Sequence, residues 1–511
     1  MAYKWAVLLC LMPALTMVML DYTIVNVALA TFGVVFNVSV ATVQWVVTGF
    51  ALATGVITPL ASFAETRFTT KRVWVFGLVA FVLGSLLCGL APAFWVLILG
   101  RFAQGLSGGL MLPIMMATLF NAFPENERGG ALGLLIIPVV GGPAFGPTIG
   151  GYIVTHLDWR WVFLVNLPVG ALAVLMAAAL LRPSEARPSL RLDLVGAVLS
   201  TVAFGAILYG MSRVGSDGWG SLVVRGTLGA GLVSLAGFAG YELTQAEPLL
   251  NVRLFAVPQF LVANIVTWVG TVALLGAEFM LPLYLQNVRG LTALDTGLLL
   301  MPQGIAVGIS GALAGRLVDK IGSRWVAIAG CLLLAFNTWD MSHLTLQTSY
   351  GTLRWLLVLR GLALGFAMTP PQLAGLAAVP EELRTNATSL FTAAKSVFSS
   401  FGVAVLATIV QSQTAVYQSL LSWQVRGDTP QGAALVQFSG VLQAQLGLSA
   451  SGAHFAAIEL VLAGVARQAA VLAFGDAYRL TFFAALLTIG LALLLPGRGA
   501  AKVDAAAAIG G

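Results

Sequence analysis

Charge is what this chain has least of. Only 9% of its 511 residues are Asp, Glu, Lys or Arg, against about 25% in an ordinary soluble domain. So few ionised groups cannot cover a water-soluble body of this size, and lipid must be the solvent for much of the surface. Histidine and cysteine are also scarce, at three each. His156, His343 and His454 are scattered, and Cys10, Cys88 and Cys331 sit singly in apolar stretches with no CxxC pairing. A metal centre and a disulfide framework therefore have no support, and the cysteines read as inert packing. No GxxxxGK[ST] phosphate loop, HExxH, Asp-rich or Ser/His/Asp constellation is present. The expectation is a protein that is not an enzyme, carries no cofactor and draws on no nucleotide.

What is abundant is apolar sequence, 59% of residues, with a mean hydropathy of +0.94. A membrane-crossing helix needs about 20 largely apolar residues. That criterion gives about fourteen spans, near 5–33, 41–63, 73–94, 96–118, 129–154, 161–181, 193–212, 223–245, 259–285, 295–316, 325–346, 353–376, 387–412 and 471–495. The first begins at Trp5 and continues past Phe32 without an A-x-A-like site. It is longer than the roughly 7–15-residue core of a signal peptide, so it reads as a membrane helix that is not cleaved.

The net charge of +6 is no nucleic-acid patch, because the basic residues fall in short loops. Arg67, Lys71 and Arg72, then Arg128, then Arg182, Arg187 and Arg191, then Lys320 and Arg324, then Arg384 occupy alternate loops, and Arg498 and Lys502 follow in the tail. Most of the intervening loops hold one basic residue or none, such as Arg213 and Arg289. This asymmetry places both termini in the cytoplasm.

The chain repeats itself. Pro124-Glu-Asn-Glu-Arg128 recurs as Pro380-Glu-Glu-Leu-Arg384, and Gly105 and Gly109 recur in the same register as Gly361 and Gly365. This duplication predicts an all-α polytopic membrane protein of two six-helix halves, 1–185 and 251–511, with a helix pair inserted at 186–250. Duplicated halves are the architecture of secondary transporters, whose site lies between them. One long external segment, about Gln413 to Ala470, is rich in Gln, Ala and Ser and reads as amphipathic helix at the membrane interface or against a partner. Its apolar positions include Val436, Leu442 and Leu446.

Four stretches carry the functional expectation. Leu20-Asp21-Tyr22-Thr23-Ile24-Val25-Asn26 puts a carboxylate in the first span, where it either lines a proton path or bonds neighbouring helices. Arg101, in Leu99-Gly100-Arg101-Phe102-Ala103-Gln104, is a permanent cation, suited either to hold that carboxylate or to reach headgroups. Gly133, Gly142, Gly146, Pro147, Gly150 and Gly151 lie along the fifth span, where small faces let backbones approach. Gly315-x-Leu317-x-Asp319-Lys320-x-Gly322-x-Arg324 forms a turn whose first-half counterpart, Ser62 to Arg72, keeps its basic residues but lacks the Asp and both glycines.

Together these stretches resemble the major facilitator superfamily, and within it the fourteen-helix EmrB/QacA-type drug:proton antiporters. The glycine–proline run is similar to that superfamily's antiporter motif. The resemblance extends through Trp159-Arg160-Trp161-Val162-Phe163-Leu164-Val165-Asn166-Leu167-Pro168-Val169-Gly170. It continues through Glu242-x4-Glu247-Pro248-Leu-Leu-Asn251-Val-Arg253-Leu-Phe255, then Tyr284-Leu-Gln286, Gly297 and Pro302.

It implies a major facilitator fold in a bacterial inner membrane, exporting hydrophobic, structurally diverse drugs against protons, with the proton gradient as its energy source. Export of an endogenous fatty acid, siderophore or envelope lipid is the alternative. Asp21, Arg101 and Glu278 are the candidates for proton coupling. Asn26, Gln104, Trp45, Phe50, Trp268, Glu278 and Phe279 are candidates for substrate contact, and the helix-five glycines, Pro147, Arg67, Asp319 and Arg324 for gating. Arg360 and Lys395 are further charges inside spans: the sequence identifies no partner for Arg360, and Lys395, at a position where the family usually has a basic residue, is expected either to neutralise a carboxylate or a carbonyl cluster or to snorkel toward the cytoplasm. The long external segment resembles the EmrB branch, which implies an EmrA-like periplasmic adaptor and a TolC-like outer-membrane channel as partners, alongside membrane lipids and no nucleic acid.

Overall fold

The computed structural model describes residues 3–38, 40–43, 45–124, 127–183, 192–245, 247–424, 430–447 and 449–497. Glu125 and Asn126 of the repeat, and Arg187, Arg191, Arg498 and Lys502 of the charge pattern, lie outside them.

The described chain is helical throughout, with no strand. Its helices are α1 (Tyr3–Val35), α2 (Trp45–Phe68), α3 (Thr70–Gly89), α4 (Phe94–Ala122), α5 (Arg128–His156), α6 (Trp161–Leu180), α7 (Leu194–Asp217) and α8 (Leu222–Glu242). They continue as α9 (Pro258–Leu283), α10 (Ala293–Ile321), α11 (Ser323–Met341), α12 (Tyr350–Ala377), α13 (Arg384–Gln424), α14 (Pro430–Leu446) and α15 (Ala450–Ala492). Among the described residues, 11 helices are long and apolar enough to cross a membrane, and Pro258–Leu274 is a shorter apolar one. The expected spans 129–154, 259–285 and 325–346, which make up the difference from fourteen, fall on α5, α9 and α11.

Backbone groups in lipid must bond within their own segment, which is why the apolar runs are helices. Glycine then decides how closely the helices approach. On α4, a Cβ at Gly105 would overlap the Phe50 carbonyl and Ala53 of α2. On α12, a Cβ at Gly361 would overlap the Gln303 carbonyl and Ala306 of α10 in the same way. The sequence duplication is thus a duplicated helix contact.

Helix α5 joins the halves. One face, through Gly142, Gly146 and Gly150, lies against Met19, Thr23 and Ile24 of α1. Another meets α10 along its length, Gly133 against Ala312 and Thr148 against Gly297. At the end of the bundle that carries the basic loops, Asn386 Nδ2 donates to Ser62 Oγ at 2.7 Å, and Arg384 Nη1 donates to Asn121 Oδ1 at 2.8 Å. Leu376, Val379 and Leu390 share an apolar cluster there with Leu119 and Phe120. The halves are therefore tied together at the basic end.

The α7–α8 hairpin spans the seam between the halves. Tyr209 stacks on Trp45 of α2, and Trp219 Nε1 donates to Thr408 Oγ1 of α13 at 2.9 Å. The segment after residue 413, expected as amphipathic helix at the interface or against a partner, is helical, and most of it is continuous with the bundle. Helix α13 runs on to Gln424, α15 starts at Ala450, and α14 packs on α15 through Leu435 and Leu442 against Ala453 and Ala457. Leu442 is thereby buried, Val436 remains 60% exposed, and the Leu446 side chain lies outside the described set.

The degenerate first-half turn adopts the conformation of its glycine-containing partner. Gly322 has φ +86° between α10 and α11, and Thr69 has φ +80° between α2 and α3. A β-branched residue there is strained. Thr69→Gly is expected to stabilise the purified protein by about 1 kcal/mol, read as a raised melting temperature in detergent. Gly146→Ala, whose Cβ would overlap Thr23 Oγ1, should destabilise it by about 1–3 kcal/mol. Gly130→Ala, which meets nothing within 4 Å, is the control expected to change little.

Candidate functional site

Asp21 and Arg101 form a buried ion pair in the first half. The Asp21 carboxylate, on α1, is 0% exposed and accepts from Arg101 Nη1 of α4 at 2.5 Å. Its other oxygen accepts from Asn166 Nδ2 of α6 at 2.7 Å and from Gln104 Nε2 at 3.1 Å. Ser85 of α3 closes the shell, accepting from Gln104 Nε2 at 2.8 Å and Asn166 Nδ2 at 3.3 Å. The guanidinium is held equally firmly. Its Nε donates to the Val46 carbonyl at 2.9 Å, Nη1 also donates to Gln104 Oε1 at 2.9 Å, and the Phe50 ring lies 4.4 Å beneath it. Four helices converge on one carboxylate, and the close approach of α4 to α2 brings both the Val46 carbonyl and Phe50 to the arginine.

The second half contains its own acid–arginine pair. Glu278 of α9 accepts from Arg360 Nε of α12 at 3.2 Å and from Gln303 Nε2 of α10 at 2.7 and 2.9 Å. Arg360 Nη2 donates to the Leu274 carbonyl at 3.1 Å. Glu278 is thus the partner that the sequence left unidentified for Arg360. In each half the acid comes from the first helix and the arginine from the fourth. The pairs differ in openness. Asp21 is sealed, whereas the Glu278 side chain is 32% exposed, and Arg360 Nη1 and Gln303 Oε1 are buried without a hydrogen-bond partner.

The remaining expected residues scatter. Gln104 and Phe50, expected to contact substrate, are buried in the Asp21–Arg101 surroundings. Trp45 faces the inserted hairpin through Tyr209 rather than the seam between α1 and α10. Asn26 is exposed, one turn beyond exposed Tyr22 on α1. Trp268 stacks on Phe398 of α13 at 4.9 Å and 8°. The side chains of Phe279 and Pro147 lie outside the described set.

Gly142, Gly146 and Gly150 are buried at the α1 contact, and Gly151 is half-buried beside them. Arg67 is half-buried at the basic end and Asp319 is exposed. Arg324 ties α11 to the end of α15 by donating to the Leu495 carbonyl at 2.8 Å. The expected tie through Asp319 is therefore made by Arg324 alone among the described contacts. Asn166, Ser85 and Gln303 were missed as site residues. Asn166 had a signal, a lone amide inside the Trp159–Gly170 run. Ser85 and Gln303 had none, since small and amide side chains are ordinary at membrane helix contacts.

A family model described as Major Facilitator Superfamily matches residues 11–403. The chain belongs to the Major Facilitator Superfamily. It is a multi-pass membrane transport protein and not an enzyme. It is 34% identical over 417 residues to "Uncharacterized MFS-type transporter YhcA" of Bacillus subtilis (strain 168), covering 82% of this chain and 78% of that one. It is 32% identical to "Lincomycin resistance protein LmrB" of the same organism, over 78% of this chain and 84% of the relative. With "Multidrug resistance protein B homolog" of Mycobacterium tuberculosis (strain ATCC 25618 / H37Rv) it shares 31% identity over 78% and 75%. Among solved structures, the proton:xylose symporter XylE superposes with a TM-score of 0.57 at 14% identity, covering 94% of each chain. At that identity the likeness is one of major facilitator fold.

A buried pair is costly to break from one side only, because the survivor is left as an uncompensated charge. Asp21→Asn and Arg101→Met should each lower the melting temperature. The double variant should recover much of the loss, with a coupling of about 1–3 kcal/mol. Additive losses in this cycle would show that the two groups do not support each other.

Proposed function

We propose that this protein is a drug efflux transporter of the EmrB/QacA type, a proton-coupled antiporter that exports hydrophobic compounds by alternating access. The observation that carries the reading is the sealed Asp21–Arg101 pair, where α1 and α4 meet behind the α5 glycines. Protonating Asp21 would cancel one charge of the pair and free Arg101, a change that the tightly packed α1–α5 contact can pass on as a movement of helices. Arg101 cannot release its own proton, so the proton belongs to the carboxylate. Relatives named for lincomycin and multidrug resistance support hydrophobic drugs as the cargo. Glu278, its side chain 32% exposed, would meet a cationic substrate or carry a second proton. No observation in the bundle favours an endogenous lipid or siderophore over drugs.

The basic end, where Ser62–Asn386 and Asn121–Arg384 tie the halves, reads as cytoplasmic, in a bacterial inner membrane. The halves would then part at that end to admit substrate. The α13–α15 projection, with Val436 exposed, is the surface proposed for an EmrA-like adaptor leading to a TolC-like channel. Replacing residues 425–448 with a short Gly/Ser linker should leave transport in proteoliposomes intact while resistance in whole cells falls.

Asp21→Asn at wild-type expression should abolish drug-induced proton release and resistance while drug binding persists. Full resistance in that variant would overturn the coupling role. Glu278→Gln should weaken export of cationic compounds more than of neutral ones, by about tenfold. A uniform loss across charges would move Glu278 into the coupling machinery.

A further inference from the structure

Arg101 and Arg360 are each committed to a carboxylate, but Lys395 of α13 is not. No hydrogen bond or ion pair engages its ammonium among the described residues. Lys395 is half-buried, one turn from both Phe391 and Phe398 on its helix. Phe391, Lys395, Phe398 and Gly402 recur at helical spacing along one stripe. The other three members all meet the second half's interior. Phe391 lies against Gly375 of α12, Phe398 stacks on Trp268, and Gly402 meets Val272 of α9.

Helices α9 and α13 both start at the basic end and run parallel. The pairings of Phe398 with Trp268 and Gly402 with Val272 set their register. One turn back, the same register brings Lys395 level with Ile265 and its neighbour Asn264, which lies one turn from Trp268 on α9. Two polar atoms at this depth are buried and unpartnered, Asn264 Oδ1 and Trp268 Nε1, and Asn264 is 0% exposed. An ammonium and an indole N–H only donate, so the group that satisfies both is rich in acceptors. An isolated ammonium at this depth is costly unless it meets a counter-charge. The Trp268–Phe398 slab beside it offers an apolar face.

We propose that Lys395 and Trp268 form a subsite for the carboxylate or other anionic group of an amphiphile whose apolar body lies on the Trp268–Phe398 stack, with Asn264 Oδ1 beside it as an acceptor for a donor on the same molecule. This rests on the reading of the chain as an exporter of hydrophobic compounds and assigns a class of cargo separate from the cations drawn to Glu278. The fixed charges of the two sites are opposite in sign, and Asn264 supplies an acceptor for a hydroxyl or amide on the same molecule.

The test is equilibrium binding to the purified full chain in nanodiscs without a proton gradient, so that a failure of proton coupling leaves it unaffected. The probes are one aromatic amphiphile in carboxylate, neutral amide and amine forms. Lys395→Gln should weaken the carboxylate form by about tenfold, the scale of a lost charge-assisted bond, and leave the amide form unchanged. Lys395→Arg should retain the carboxylate, and Trp268→Leu should weaken all three forms. Nanodiscs of phosphatidylcholine alone, and with phosphatidylglycerol, separate two sources of the anion. Competition by phosphatidylglycerol in wild type but not in Lys395→Gln supports the same site with a lipid headgroup as occupant. Equal binding of carboxylate and amide forms by wild type, or an equal loss of all three in Lys395→Gln with an unchanged melting temperature, overturns the proposal.

Discussion

Taking a carboxylate and a guanidinium out of water is costly, and their attraction offsets that cost only when every remaining donor and acceptor is engaged. The first half is organised around meeting this condition at Asp21 and Arg101. The carboxylate comes from α1, the guanidinium and one amide from α4, a second amide from α6 and a hydroxyl from α3, while α2 supplies a carbonyl and an aromatic face. Side chains this short converge only if the backbones are close. Gly105 lets α4 approach α2, Gly84 and Gly100 let α3 and α4 approach each other, and Gly142, Gly146 and Gly150 let α5 close on α1 behind them, since a Cβ at each would crowd a neighbour.

The same plan is executed more loosely in the second half. Glu278 and Arg360 meet at 3.2 Å, against 2.5 Å in the first pair, the Glu278 side chain stays 32% exposed, and polar atoms around them remain unpartnered. One pair is sealed and the other is open. The sealed one suits a group whose only exchange is with a proton, and the open one suits contact with a ligand. Helix α5 connects the two, touching α1 on one face and α10 on the other.

Asp21, Arg101 and the glycine ladder were legible in the sequence because each breaks an apolar run in a way lipid penalises or exploits. The duplication was legible for the same reason, its glycines falling in register at contacts that tolerate nothing larger. The pairing of Arg360 with Glu278 was not, since charges on helices far apart in sequence carry no mark of which meets which. Ser85 and Gln303 were invisible because small and amide side chains are common in membrane helices whether or not they serve a carboxylate. Trp45 and Phe50 were read as cavity residues although their neighbours, Tyr209 and Arg101, are set by the hairpin and by α4. The stretch beyond residue 413 read as helix lying at the interface because Gln, Ala and Ser are polar enough to leave lipid. They are also good enough helix formers to extend α13 and α15 without a break.

That extension has a mechanical consequence. Helix α15 has 43 residues and is about 65 Å long, against a bilayer of about 40–45 Å including headgroups. Its partner α13 has 41 residues, and both belong to the second half. The pair is a lever arm fixed to the second half. A rotation of about 10° about the basic end would displace the far tip by about 11 Å for a rod of that length, much more than the movement at the buried carboxylates. Any partner seated on the tip would feel the transport cycle as a stroke, and the angle of the second half would be reported well outside the membrane.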